Sequence, residues 1–174
     1  MIPKPQPSEY NAYYEKYVQS IPDQADVLEV LQKQRYDVLQ LFGRVSENEA
    51  DFAYAPGKWS IKEVLGHMND TERIMAYRAL CIARGEQNSL PGFDENDYVA
   101  HAFFHERTLA GLLEEHKVVR EATIALFDSM APAAYPRLGN ANGSPVSVAA
   151  LAFIIAGHER HHLNILKERY LVKL

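Results

Sequence analysis

Four segments of this chain repeat their apolar residues every three or four positions, and none sustains the two-residue alternation of a strand bounded by hairpin turn residues. That feature alone points to an all-α architecture. The first segment opens after Pro22 with Asp23 as its expected N-cap. It carries Val27, Leu28, Leu31, Val38, Leu39 and Phe42 at helical spacing and stops at Gly43. The second follows Trp59: Ser60 and Glu63 form a capping box, and the helix should run to about Arg84, before Gly85. A turn-rich loop over 88–96 leads through a short helix near 97–104. The third long helix covers about 106–130, with Leu109, Leu112, Leu113, Phe127 and Met130 on one face. Pro132, Pro136, Gly139 and Gly143 then break the chain before Ser147 caps a last helix reaching about Leu171. Four amphipathic helices with connections of unequal length predict a four-helix bundle with short additional helices.

Residues 1–22 read as an N-terminal arm, with three early prolines followed by Tyr10, Tyr13, Tyr14 and Tyr17, whose rings should pack on the body or on a second subunit. Residues 23–174 form the bundle domain, long enough to bury a core without staples. The net charge is −5 and the basic residues are scattered among acidic ones, which excludes the basic patch a nucleic-acid surface requires. The longest apolar run, 146–156, contains Ser147 and falls far short of the roughly 20 residues needed to span a bilayer, so no membrane partner is expected. The Met-Ile-Pro-Lys-Pro-Gln-Pro start lacks the apolar core of a signal peptide, and Cys81, the only cysteine, can form no internal disulfide; both suit a reducing cytoplasm. Cys81 itself reads as a small core residue.

The informative residues are polar ones on apolar faces. On the last helix Leu151, Ile155, His158, His162 and Ile165 share one narrow stripe, so His158 and His162 stack one turn apart on the face that enters the core. Two desolvated imidazoles need partners for their ring nitrogens, and a shared divalent cation supplies one directly. On the second helix Glu72 lies near the centre of the core face, with Thr71 and His67 at its edge. On the third, His116 and Arg120 sit among Leu109, Leu112, Leu113 and Phe127. Bundles build metal sites from such side chains on facing helices. The competing reading is a buried polar network with Glu72 paired to Arg120. That network would be costly to desolvate and leaves the concentration of histidine unexplained.

His158-Glu159-Arg160-His161-His162 formally matches the zincin pattern, in which the glutamate is a general base. No His or Asp follows His162, however, and there is no sheet to hold an extended peptide, so a peptidase is not expected. The third ligand must come from upstream. His67 and then His116 are the candidates, with His101 and His105 more distant, and spacing alone does not choose between the first two.

The stretch Tyr54-Ala-Pro-Gly-Lys-Trp-Ser-Ile-Lys-Glu-Val-Leu-Gly-His67-Met-Asn-Asp-Thr-Glu-Arg resembles the early signature of the DinB-like superfamily, which includes YfiT-type metal-dependent hydrolases and bacillithiol transferases. Ala-Gly-His158-Glu-Arg-His-His162-Leu-Asn-Ile-Leu resembles its closing motif. The resemblance implies an up-down-down-up bundle, a homodimer, and a metal site of His67, His158 and His162. Such a site would hold one divalent transition metal ion, of which zinc, nickel, iron and manganese all remain open.

The function these features favour is a metal-dependent enzyme, either a small-molecule hydrolase or a transferase of a low-molecular-weight thiol. Glu72 is a candidate carboxylate orienting a histidine or acting as general base, and Glu159 is an alternative base unless it is a solvated helix flank. Arg120 and His116 are candidate substrate contacts. The rival is a non-catalytic, metal-stabilised stress-response or interaction module, with a closed site that His116 would complete. Trp59 and Phe93, on the loops before and after the second helix, are candidates to line a pocket mouth, with ordinary packing the favoured expectation.

Overall fold

Ser60 starts the longest helix as its capping box requires. Its hydroxyl accepts from the Glu63 N–H at 3.2 Å, and the Glu63 carboxylate accepts from the Ser60 N–H at 2.6 Å. The computed structural model describes residues 1–173. Its helices are α1 (Glu15–Ser20), α2 (Val27–Phe42), α3 (Ile61–Ala83), α4 (Glu95–His101), α5 (Leu109–Asp128) and α6 (Val148–Ile165), the last extended by a π-helical turn, Leu166–Tyr170.

Helix direction follows from the residues that share each end of the core. At one end Val38 and Phe42, late in α2, meet Leu65 early in α3, Leu112 early in α5 and Leu163 late in α6. At the other, Val27 and Leu31 meet Ala79 and Ile82, Phe127, and Leu151. The bundle therefore runs up, down, down, up. α3 and α2 each pack against both α5 and α6, which leaves α2 diagonal to α3. Because α3 and α5 run the same way, residues 84–108 must travel back along the bundle, carrying α4.

Two local features differ from the sequence expectation. Asp26, not Asp23, caps α2, accepting from the Leu28 N–H at 2.9 Å, while Asp23 pairs instead with Lys4 at 2.5 Å. The break before α6 is a β-hairpin, β1 (Leu138–Ala141) with β2 (Ser144–Ser147), closed by Asn142 and Gly143 at φ +53° and +74°. Two consecutive positive φ values make the tight turn whose twist suits a hairpin, which is why Asn-Gly occupies it. Leu90 bonds to the backbone of Asn140 and Asn142 and so fastens the α3–α4 loop to the hairpin.

In the first 22 residues α1 lies on α6, while the Pro7–Glu9 turn packs on β2. Ile2, Tyr10, Tyr17, Val18 and Ile21 are buried, and Arg160 donates to the Ser20 carbonyl. Gly157 permits this contact: a Cβ there would stand 2.2 Å from the Tyr17 carbonyl oxygen. Among the described residues no helix is long and apolar enough to cross a membrane.

Candidate metal centre

His67 lies two turns into α3, and His158 and His162 lie one turn apart on the facing stripe of α6. The antiparallel packing of these helices brings the three rings together. His158 Nε2 stands 3.0 Å from His67 Nε2 and 3.0 Å from His162 Nε2. One ligand nitrogen from each ring lies within 4.8 Å of the others. Metal–nitrogen bonds of about 2.0–2.1 Å place two imidazole nitrogens on one ion about 2.8–3.4 Å apart, so this spacing fits a shared divalent ion. Trp59 lies over His67 with ring centroids 4.7 Å apart, and its loop is held by the Tyr170 hydroxyl donating to the Trp59 carbonyl at 2.7 Å.

The electrostatics favour neutral imidazoles. Burial pushes His67 down to about 4. Burial, with His67, His161 and Lys16 adding, takes His162 to about 3. Burial and the neighbouring rings hold His158 well below its ordinary value. All three thus offer lone pairs at neutral pH, as a transition metal requires.

The rings open into a cavity of about 620 Å³. α3 contributes His67, Thr71, Met75 and Arg78 to its walls, and the N-terminal segment supplies Tyr13, Tyr14, Lys16 and Tyr17. Tyr17 meets both His158 and His161 edge-on, with centroids 5.5 Å apart in each case. Trp59 and Phe93, the two loop-aromatic candidates for a pocket mouth, both line this cavity.

A model of the DinB superfamily matches residues 30–166, well over half of the chain. The chain belongs to the DinB superfamily. Among solved structures it is similar to YfiT from Bacillus subtilis, described as a probable metal-dependent hydrolase with an unusual four-helix bundle topology. The TM-score is 0.75 at 16% identity, covering 95% of this chain and 90% of that one, which is a likeness of fold. No curated protein matches the chain.

The other inward polar residues of this DinB-superfamily chain gather around Arg120. Arg120 is 0% exposed and saturated. It donates to both oxygens of Glu72 at 2.8 and 2.7 Å, to Glu159 at 2.7 Å and to the Leu31 carbonyl at 3.0 Å. Glu72, His116 and Glu159 could by spacing form a second metal cluster, but the guanidinium already supplies the cation there. Glu159 is therefore no solvated flank: it is buried at 2% exposure, and its carboxylate meets Arg120 and His116 across the bundle interior. None of Glu72, His116, Arg120 or Glu159 lines the cavity; Glu72 and Glu159 border a small void behind it with Thr71 and His158. His101 and His105 are exposed and do not join the triad.

One proton in this network can be placed. The Asn69 amide donates to the Leu112 carbonyl at 3.1 Å, which leaves its oxygen to accept from His116 Nδ1 at 3.0 Å. His116 Nε2 then faces a Glu159 oxygen at 3.3 Å, where two lone pairs would repel. Burial takes His116 down to about 4 and Glu159 up to about 7. Among the described residues His116 Nε2 makes no hydrogen bond, while Glu159 keeps its bond from Arg120. Burial works against ionised Glu72 as well, but the Arg120 guanidinium outweighs it and holds that carboxyl below its ordinary value. Arg120 thus supplies the positive charge against which both buried carboxyls are set.

Proposed function

We propose that the protein is a metal-dependent enzyme in which His67, His158 and His162 hold one divalent transition metal ion and the cavity admits a small-molecule substrate. The observation that carries this reading is the convergence of three neutral imidazole nitrogens at the floor of an open cavity. When bound to three neutral histidines, such an ion keeps its full positive charge and lowers the pKa of a coordinated water or thiol towards neutrality. That chemistry serves hydrolysis of a small molecule or transfer of a low-molecular-weight thiol to an electrophile.

The chain's own residues supply the rest. Trp59 and Tyr17 flank the triad with aromatic surface and limit the water that reaches it. His161 faces the cavity beside His162, with ring centroids 5.3 Å apart, and is kept neutral by partial burial and by Lys16, so its ring can accept a proton. The Arg120 cluster behind α3 and α6 ties the two ligand-bearing helices together through Glu72 and Glu159. His116 groups with Glu72 and Glu159 rather than with the triad, and its Nδ1 is bonded to Asn69, which favours a site left open over one that His116 closes.

His67→Ala tests the reading directly. Metal content and any hydrolytic or thiol-transfer activity should fall together. A variant that keeps full metal occupancy would remove His67 from the ligand set.

A further inference from the structure

Arg78 has an unusual position for an arginine. It is 4% exposed, and among the described residues no carboxylate forms an ion pair with it. Of its five N–H donors, one goes to the Pro91 carbonyl at 2.7 Å and another approaches the Met75 sulfur at 3.6 Å. The Phe93 ring lies beneath the guanidinium at 5.9 Å, and the Tyr14 phenol faces it. Arg78 lines the same cavity as the histidines and is on the same face of α3 as His67. Their offset of eleven positions corresponds to about 16 Å along the helix. Lys16, on the opposite wall, rests on the Tyr17 ring at 4.8 Å and likewise pairs with no carboxylate. Two carboxylates reach the cavity. Asp94 is occupied in capping α4 through the Asn96 and Asp97 N–H groups at 2.8 and 3.0 Å, and Glu95 is exposed at the rim.

A guanidinium removed from water and left without a counter-charge is costly unless an anion completes it, and its planar donors match a carboxylate. We propose that the cavity binds an elongated small molecule with a carboxylate at one end, seated on Arg78, and its reacting group at the histidine triad. The reacting end rests on the metal reading above; the carboxylate end does not. The separation of the two ends selects length, because a short acid cannot occupy both. A single negative charge suits the site, since Glu95 opposes a dianion.

The test uses the zinc-incubated protein and a series of α,ω-carboxy-hydroxamic acids of increasing methylene count, each beside its carboxamide analogue, with binding read by calorimetry. The hydroxamate is a general ligand for the metal end. Affinity of the acids should rise with chain length and exceed that of the matched amides by about tenfold or more at the best length. Arg78→Gln should remove this preference while leaving the amides unaffected, and Arg78→Lys should retain part of it. If Arg78 only anchors the Pro91 loop, acid and amide weaken equally in Arg78→Gln, and the proposal falls. Equal binding of acid and amide by the wild-type protein, or no binding of either, overturns it without reference to any variant. A phosphonate analogue that outbinds the carboxylate overturns the choice of a single negative charge. His158→Ala separates the two readings: a preference for acid over amide that persists there, with no metal bound, supports the Arg78 subsite whatever becomes of the metal.

Discussion

Arg120→Met removes the only cation from a site that buries two carboxylates. In the native protein the guanidinium makes two parallel bonds to Glu72, a third to Glu159 at 2.7 Å and a fourth to the Leu31 carbonyl, all out of contact with water. Breaking a buried ion pair by deleting one partner costs about 3–5 kcal/mol, because the remaining charge keeps its desolvation penalty. Here two carboxylates and a carbonyl lose their donor, so the loss should lie at the upper end near pH 8. For a domain of this size that corresponds to about 10–15 °C in Tm. The variant should also acquire a pH dependence. With Arg120 gone, burial raises both carboxyls, so the native state binds more protons than the unfolded chain above about pH 4.5. Stability must then fall as pH rises, by up to about 1.4 kcal/mol per unit for each group. Urea unfolding followed by helical circular dichroism at pH 5 and pH 8 measures both effects. Replacing Glu72 and Glu159 as well, with Met and Gln, should recover most of the loss, since an apolar core of matched volume often equals a buried ion cluster. An Arg120→Met loss below about 1 kcal/mol with no pH dependence would refute the account of a coupled, water-free cluster.

Other perturbations test separate parts of the structure. In metal-free protein the unfolded chain protonates its histidines below about pH 6.5, whereas the native triad resists, with His67 held to about 4 and His162 to about 3. Stability should thus be fully present above pH 7 and fall as pH drops from 6.5 towards 4; Glu159, raised to about 7, opposes this as a single group against several rings. Urea midpoints in the presence of a chelator at pH 7.5, 6 and 5 check the sign, and a midpoint that rises on acidification would contradict it. Gly157→Ala should drive the Tyr17 backbone off α6, at a cost of about 1–3 kcal/mol, and expose residues 1–22 to protease; unchanged proteolysis would show that the segment is not held there. Gly143→Ala, at φ +74°, should cost about 1 kcal/mol by thermal melting without altering metal content, because it strains only the hairpin turn.

Much of the frame is legible in local chemistry. The Ser60–Glu63 box marks the start of α3, and the apolar stripe of α6 places His158 and His162 inward before any neighbour is known. What escapes is set by contacts distant in sequence. Asp23 and Asp26 are equally good caps by residue type, and Lys4 draws the first away. Glu159 lies on a flank of its helix's own stripe and becomes interior only because α5 brings Arg120 and His116 against it. The hairpin's strands are four residues long and contain Gly139 and Pro145, so alternation is too short to read, although Asn142-Gly143 carries the turn signal. Nothing in helical periodicity foretells that Tyr17 and Lys16 will wall the cavity. Arg78 could have been found: His67, Thr71 and Arg78, at i, i+4 and i+11, share one face of a helix already assigned.

The central claim is that His67, His158 and His162 hold one metal ion. Protein purified without an affinity tag, incubated with zinc, nickel or manganese and then dialysed, should carry one equivalent of one of these metals per chain by elemental analysis, and His158→Ala treated in the same way should carry none. Wild-type protein that stays empty with every metal, or a His158→Ala variant that retains the full equivalent, would contradict the account.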